Sequence, residues 1–261
     1  LTLFFSACSS SEMVESTSTN IYRRLFIPHP TNSEEKVEFY TKSDCYKRPK
    51  KTIIFLHGHQ EKKTGGEVYL DWNELTRWQD KGFLAVAISL PGYGGSTGKS
   101  DFSGPYSQDA VEGVIDFLLN KGWADSNNLN IQGVSRGGIV AGRIASRRNE
   151  VKKLVLISTS YDLKKTYEYN QDSLLKKILI KEMNPIKKEF EMRSIKPDSI
   201  KADMLILHGK QDKKIPFSQV KSFFESRLES SQRVTRLKSF NTGHRIPLNM
   251  RKDIIDRFIN E

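Results

Sequence analysis

Cysteine is scarce, with Cys8 and Cys45 the only two in 261 residues. Two cysteines cannot build a disulfide framework, and neither belongs to a Cys-x-x-Cys spacing that would hold a metal. Long apolar runs are missing too. The longest, over residues 1–8, falls well short of the roughly 20 residues that a spanning helix requires, so no transmembrane helix is predicted. Acidic residues number 31 against 42 basic ones, a net charge of +11. A cationic surplus suits nucleic acid or a phospholipid surface when it is concentrated on one face. Here it is scattered in pairs such as Arg23-Arg24, Lys62-Lys63, Arg147-Arg148 and Lys213-Lys214. With no basic arm, recognition helix or aromatic interleaving, nucleic acid is not an expected partner, and the lysines read as a solvated surface. What remains is a chain with 37% hydrophobic and 28% charged residues. That balance excludes disordered and fibrous classes, and the length suits one domain with one sizeable core.

Residues 1–7 are apolar or small, Cys8 follows, and a Ser/Thr/Glu-rich stretch runs from Ser9 to Asn20. The pattern reads as the end of an export signal followed by a tether. Phe5-Ser6-Ala7-Cys8 resembles the lipobox of bacterial lipoproteins, with Phe5 where Leu is usual. That resemblance implies lipid on Cys8 and an exported, membrane-anchored protein facing the periplasm or cell exterior, with an ordinary cleaved signal as the alternative. The expected organisation is therefore a signal remnant over 1–7, a tether over 8–20 and a domain over 21–261.

Within the domain, β-rich runs recur at 21–27, 36–40, 52–56, 83–89, 129–133, 153–158, 204–207 and 234–240. Thr52-Ile53-Ile54-Phe55-Leu56 and Leu84-Ala85-Val86-Ala87-Ile88 are almost continuously apolar, the signature of strands buried on both faces of a parallel sheet. Apolar residues at three- and four-residue spacing predict helices over 67–81, 107–121, 136–147, 218–228 and 251–260. Strand and helix alternate, which predicts an α/β fold: a mostly parallel eight-stranded sheet flanked by helices, with the first two strands antiparallel at one edge. One connection, residues 161–202, is far longer than a strand-helix link needs. Helices over 173–183 and 184–195 are expected within it. It is either a helical cap over a site, with Tyr161, Tyr167, Tyr169, Met183, Phe190 and Met192 walling a pocket, or a surface excursion.

The chemistry gathers at strand ends. Gly133-Val134-Ser135-Arg136-Gly137 follows an apolar strand and opens a helix, the setting in which Gly-x-Ser-x-Gly presents a strained, exposed nucleophile. Leu207-His208-Gly209-Lys210-Gln211-Asp212 places a carboxylate just past a later strand, and Asn241-Thr242-Gly243-His244 places an imidazole past the last one. The chain order Ser135, Asp212, His244 is that of a nucleophile, an orienting acid and a general base. Asp162 is the alternative acid. Phe55-Leu56-His57-Gly58-His59 is another strand ending in a turn, and the backbone N–H groups of His59 and Arg136 are the candidate oxyanion donors. His57 and His208 read as structural turn residues.

Taken together, these motifs resemble the α/β-hydrolase superfamily over roughly residues 20–261. Leu90-Pro91-Gly92-Tyr93-Gly94-Gly95-Ser96 is similar to the loop after the fourth strand of many members, and residues 125–138 resemble the dienelactone-hydrolase-like and prolyl-oligopeptidase-like branches. Gly58-His59-Gln60 lacks the Gly-Gly run of short-acyl esterases. The resemblance implies an acyl transfer to water with no cofactor and no metal, acting on a small-molecule acyl substrate. Carboxylic-ester hydrolysis is the expected activity; a serine peptidase or amidase, or a non-catalytic binding module on the same fold, are the alternatives.

Overall fold

Five consecutive buried residues, Leu84 to Ile88, make β5 (Leu84–Ile88), and its neighbour β4 (Lys50–Leu56) buries all but its first two. Successive strand side chains point to opposite faces, so a run apolar at every position needs cover on both sides. The computed structural model supplies that cover, and it describes residues 11–15, 21–42, 48–170 and 174–261. Ile54 and Leu56 face one layer, where α3 (Pro105–Asn120), α4 (Arg136–Ala145) and α8 (Phe217–Ser230) contribute Val111, Val140 and Val220. Ile53 and Phe55 face the other, against Tyr69 of α1 (Val68–Asp71), Trp78 of α2 (Glu74–Gln79) and Phe258 of α9 (Leu248–Asn260). Each fully buried branched or aromatic side chain contributes about 1.5–3 kcal/mol by leaving water.

The other strands are β1 (Ser11–Glu15), β2 (Ile21–His29), β3 (Asn32–Lys42), β6 (Ala124–Val134), β7 (Val151–Ile157), β8 (Asp203–Gly209) and β9 (Thr235–Phe240). They form one sheet in the order β1-β2-β3-β5-β4-β6-β7-β8-β9. From β5 to β9 all pairings are parallel, while β1, β2 and β3 are antiparallel at one edge. The eight strands expected from the sequence are all present, and β1 is an addition. It falls inside the stretch read as a tether, where its backbone pairs with the otherwise open edge of β2, Met13 opposite Arg23. An open edge offers a row of unpaired N–H and C=O groups, and an adjacent extended segment satisfies them. Cys8 and residues 1–7 lie outside the described residues. Among the described residues no helix is long and apolar enough to cross a membrane.

Two helical expectations need correction. The helix expected over 67–81 is broken into α1 and α2 at Asn73, which takes a left-handed conformation with φ of 56°, a region that Asn enters more readily than most residues. The insertion holds three α-helices rather than two: α5 (Leu163–Tyr169), α6 (Leu174–Glu182) and α7 (Lys187–Arg193). Tyr161 lines a surface cleft with Ile195, Pro197, Pro216 and Phe223. Leu163, Leu179, Met183 and Phe190 close a small core of their own with Phe102 and Ile139, and Tyr161 stacks on Phe223 with ring centroids 4.0 Å apart.

Candidate active site

The β6 strand delivers Ser135 at the carboxyl edge of the sheet, and α4 begins at the next residue. Ser135 itself has φ 52° and ψ −115°, a conformation that an L-residue adopts only when its surroundings enforce it. Its N–H donates to the carbonyl of Ile157 at 2.8 Å, and its carbonyl accepts from Gly138 at 3.0 Å. A side chain on Gly133 would collide with the backbone of Gly137 and Gly138, and one on Gly137 with the carbonyls of Leu56 and His57. The two glycines therefore let strand, turn and helix approach closely enough to hold the strained serine.

His244, in the loop after β9, brings Nε2 to 3.0 Å from Ser135 Oγ, and its Nδ1 lies 2.7 Å from Asp212 Oδ2. Asp212 follows β8, and its side chain is fully buried. The other carboxylate oxygen, Oδ1, accepts the N–H groups of Lys214 at 2.8 Å and Ile215 at 3.0 Å. Burial alone would push this carboxyl up, but hydrogen bonds from His208 and His244, the charge of His244 and the Ile215 N–H outweigh it. The net result holds Asp212 well below the usual carboxylate range, so it is an anion at neutral pH.

His208 is the residue whose role the sequence reading understated. It is fully buried, and its Nε2 lies 3.2 Å from Asp212 Oδ2 and 3.1 Å from the Ile215 carbonyl. It therefore meets the same carboxylate oxygen as His244 and helps to hold it in place. The available signal was its place four residues before Asp212 at a strand end. His57 matches its structural reading: Nδ1–H donates to Gly58 O at 2.7 Å and Nε2 accepts from Leu90 N–H at 3.0 Å. Burial, together with nearby cations, pushes its imidazole down to about 4, so the ring stays neutral and can serve as donor and acceptor at once. Asp162 does not join this cluster of bonds. It is the N-cap of α5, accepting Lys165 N–H at 3.0 Å.

The turn after β4 packs against the elbow, since a Cβ placed on Gly58 would lie 3.4 Å from Ser135 Cβ. Arg136 N–H, at the first position of α4, and His59 N–H, in that turn, have no protein acceptor among the described residues. Both residues adjoin the Ser135 turn, Arg136 as the next residue and His59 as the residue after Gly58.

Comparison with known proteins fits this geometry. The model of the prolyl oligopeptidase family matches residues 69–257, a span that includes the elbow and both partner loops. The chain belongs to the prolyl oligopeptidase family. It is 28% identical over 254 residues, 94% of this chain, to an Acanthamoeba polyphaga mimivirus protein whose name assigns it to the α/β hydrolases, covering 87% of that protein. Among solved structures it is similar to the Pyrococcus furiosus esterase Pf2001, with a TM-score of 0.69 and 19% identity, over 97% of this chain and 94% of the esterase. It is also similar to the Pyrococcus horikoshii acylaminoacyl peptidase, with a TM-score of 0.73 and 16% identity over 94% of this chain, but only 41% of the peptidase. At these identities the solved structures establish the α/β-hydrolase fold.

Proposed function

We propose that the protein is a serine hydrolase that cleaves carboxylic esters through an acyl-enzyme. The observation that carries this reading is the continuous hydrogen-bonded run Ser135–His244–Asp212 on a strained elbow. In the first step His244 Nε2 takes the Ser135 proton as Oγ attacks the ester carbonyl, and the oxygen that becomes negative is met by the N–H groups of Arg136 and His59. The imidazolium formed is stabilised by anionic Asp212, which also holds Nδ1 protonated in the neutral state. His244 then returns the proton to the leaving alcohol. Water, deprotonated by the same imidazole, attacks the acyl-enzyme and releases the acid. No metal or organic cofactor enters these steps.

The likeness to Pf2001 over nearly the full length of both chains supports an ester substrate. The family name and the likeness to acylaminoacyl peptidase favour an amide substrate as the second reading. A panel of p-nitrophenyl esters and peptide p-nitroanilides of matched acyl groups separates them. The ester reading expects kcat/KM for the ester to exceed that for the anilide well beyond the ratio of their intrinsic reactivities. Turnover of the anilides at a comparable rate would assign the protein to the peptidases. The Phe5-Ser6-Ala7-Cys8 sequence supports an exported form anchored by lipid on Cys8. Mass spectrometry of the mature amino-terminus tests this, and an unmodified, soluble chain would reject it.

A further inference from the structure

The backbone of Arg136 serves the elbow, while its side chain enters a buried polar cluster that the proposed chemistry does not use. The guanidinium is packed between aromatic faces, its centre 4.6 Å from the Phe102 ring and 5.2 Å from that of Tyr93. One terminal nitrogen, Nη2, donates to Glu182 Oε2 and the other, Nη1, to Tyr93 Oη. Glu182 is the last residue of α6, so it belongs to the insertion. The same Oε2 accepts Ser100 Oγ–H at 2.6 Å, and Oε1 lies 3.9 Å from Lys63 Nζ in the loop that follows His59. The ion pair is enclosed, with side-chain exposure of 2% at Arg136 and 10% at Glu182.

The cluster continues to the second candidate donor. Tyr93 Oη lies 2.7 Å from His59 Nδ1. Burial, then the cations Arg136 and Lys63, hold the His59 imidazole below its usual range, and Tyr93 Oη accepts from Arg136. One unbroken path therefore runs Glu182–Arg136–Tyr93–His59. It includes both residues proposed as amide donors, Arg136 and His59, and its far end is a carboxylate supplied by the insertion.

We propose that Glu182 is a positioning residue, and that through Arg136 and Tyr93 it fixes the two backbone turns that present the oxyanion amides. This rests on the serine-hydrolase reading of the same site. The physical requirement is distance. An oxyanion donor works only within hydrogen-bond range of where charge develops, and a displacement of about 1 Å can cost two orders of magnitude in rate. A guanidinium suits the role because its planar fork bonds two partners in fixed directions, which a lysine ammonium cannot reproduce. Glu182 supplies the charge that keeps a buried cation in place, since an unpaired buried guanidinium would move toward water.

The test measures kcat and KM on a p-nitrophenyl ester, with fluorophosphonate labelling and thermal unfolding for each variant. Tyr93→Phe cuts the path between Arg136 and His59 while keeping the ion pair and the ring. Glu182→Gln removes the charge with little change of shape, and Arg136→Met/Glu182→Leu replaces the whole pair by apolar groups, a change that buried pairs often tolerate in stability. The expected result is a loss in kcat of about tenfold or more in each, with KM within about twofold and with the loss persisting in the double variant although its unfolding temperature stays near that of the wild type. A wild-type kcat in Tyr93→Phe, or a kcat that recovers together with stability in the double variant, would overturn the proposal. If the double variant does not fold, Tyr93→Phe decides. Wild-type protein that neither turns over esters nor takes the phosphonate would overturn the serine-hydrolase reading and this inference together. Normal labelling with unaffected variants overturns the inference alone.

Discussion

The central strands and the insertion over residues 161–202 spend their apolar side chains differently. In β4, β5, β7 and β8 most residues are buried against helices on one face or the other, and the sheet they build carries Ser135 after β6, Asp212 after β8 and His244 after β9. The insertion turns Leu179, Met183 and Phe190 inward to a small core, and leaves Tyr169, Leu174, Ile180 and Ile186 at least half exposed. It meets the elbow helix both through Ile139, which lies in that small core, and through the Glu182–Arg136 ion pair. The framework thus sets where the reacting groups stand, and the insertion reaches Arg136, the residue after Ser135, through the carboxylate of Glu182.

The sharpest contrast between the two regions is in activity. Ser135→Ala should lower kcat by about 10⁴-fold or more, since nucleophile, base and acid act as a unit. Steady-state kinetics on the purified, folded variant checks this. Asp212→Asn should cost about 10³-fold, because an amide there favours the wrong imidazole tautomer; wild-type kinetics in that variant would break the assignment of the acid.

Stability separates the regions next. Ile54→Ala, in the middle of the sheet, should destabilise the fold by about 3–4 kcal/mol, and Leu179→Ala, in the insertion's own core, by about 2 kcal/mol. Urea unfolding measures both, and equal losses would mean that the insertion is as integral as the sheet. Acid should reveal the buried carboxylate. Asp212 is held below its unfolded value near 4, so its contribution is complete above that value and is lost as pH falls through the lower, folded one. Unfolding free energy should therefore fall below about pH 4, and less steeply in Asp212→Asn. The smallest effect is expected at Asp162→Asn, where asparagine also caps a helix; kcat should stay within about twofold.

Much of this was legible in the sequence because the signals were dense. Continuous apolar runs at 52–56 and 84–88 admit few arrangements other than a two-sided parallel sheet, and three chemical residues following three of its strands in the order Ser, Asp, His specify one another. What escaped the sequence depends on contacts between distant segments. The break at Asn73 is a backbone conformation that a helical pattern does not encode, and β1 forms because β2 offers an edge. The support of Asp212 by His208 requires a turn to fold the chain back on itself. Glu182 was invisible for another reason: in a lysine-rich helix, a carboxylate that enters a buried pair has the same local pattern as one facing water.

The most direct test of the central claim is the mass of the intact protein after reaction with a fluorophosphonate, followed by peptide mapping. The account predicts one adduct per chain, on Ser135, absent in Ser135→Ala and greatly slowed in His244→Ala. An unmodified wild-type chain, or an adduct mapped to another residue, would contradict it.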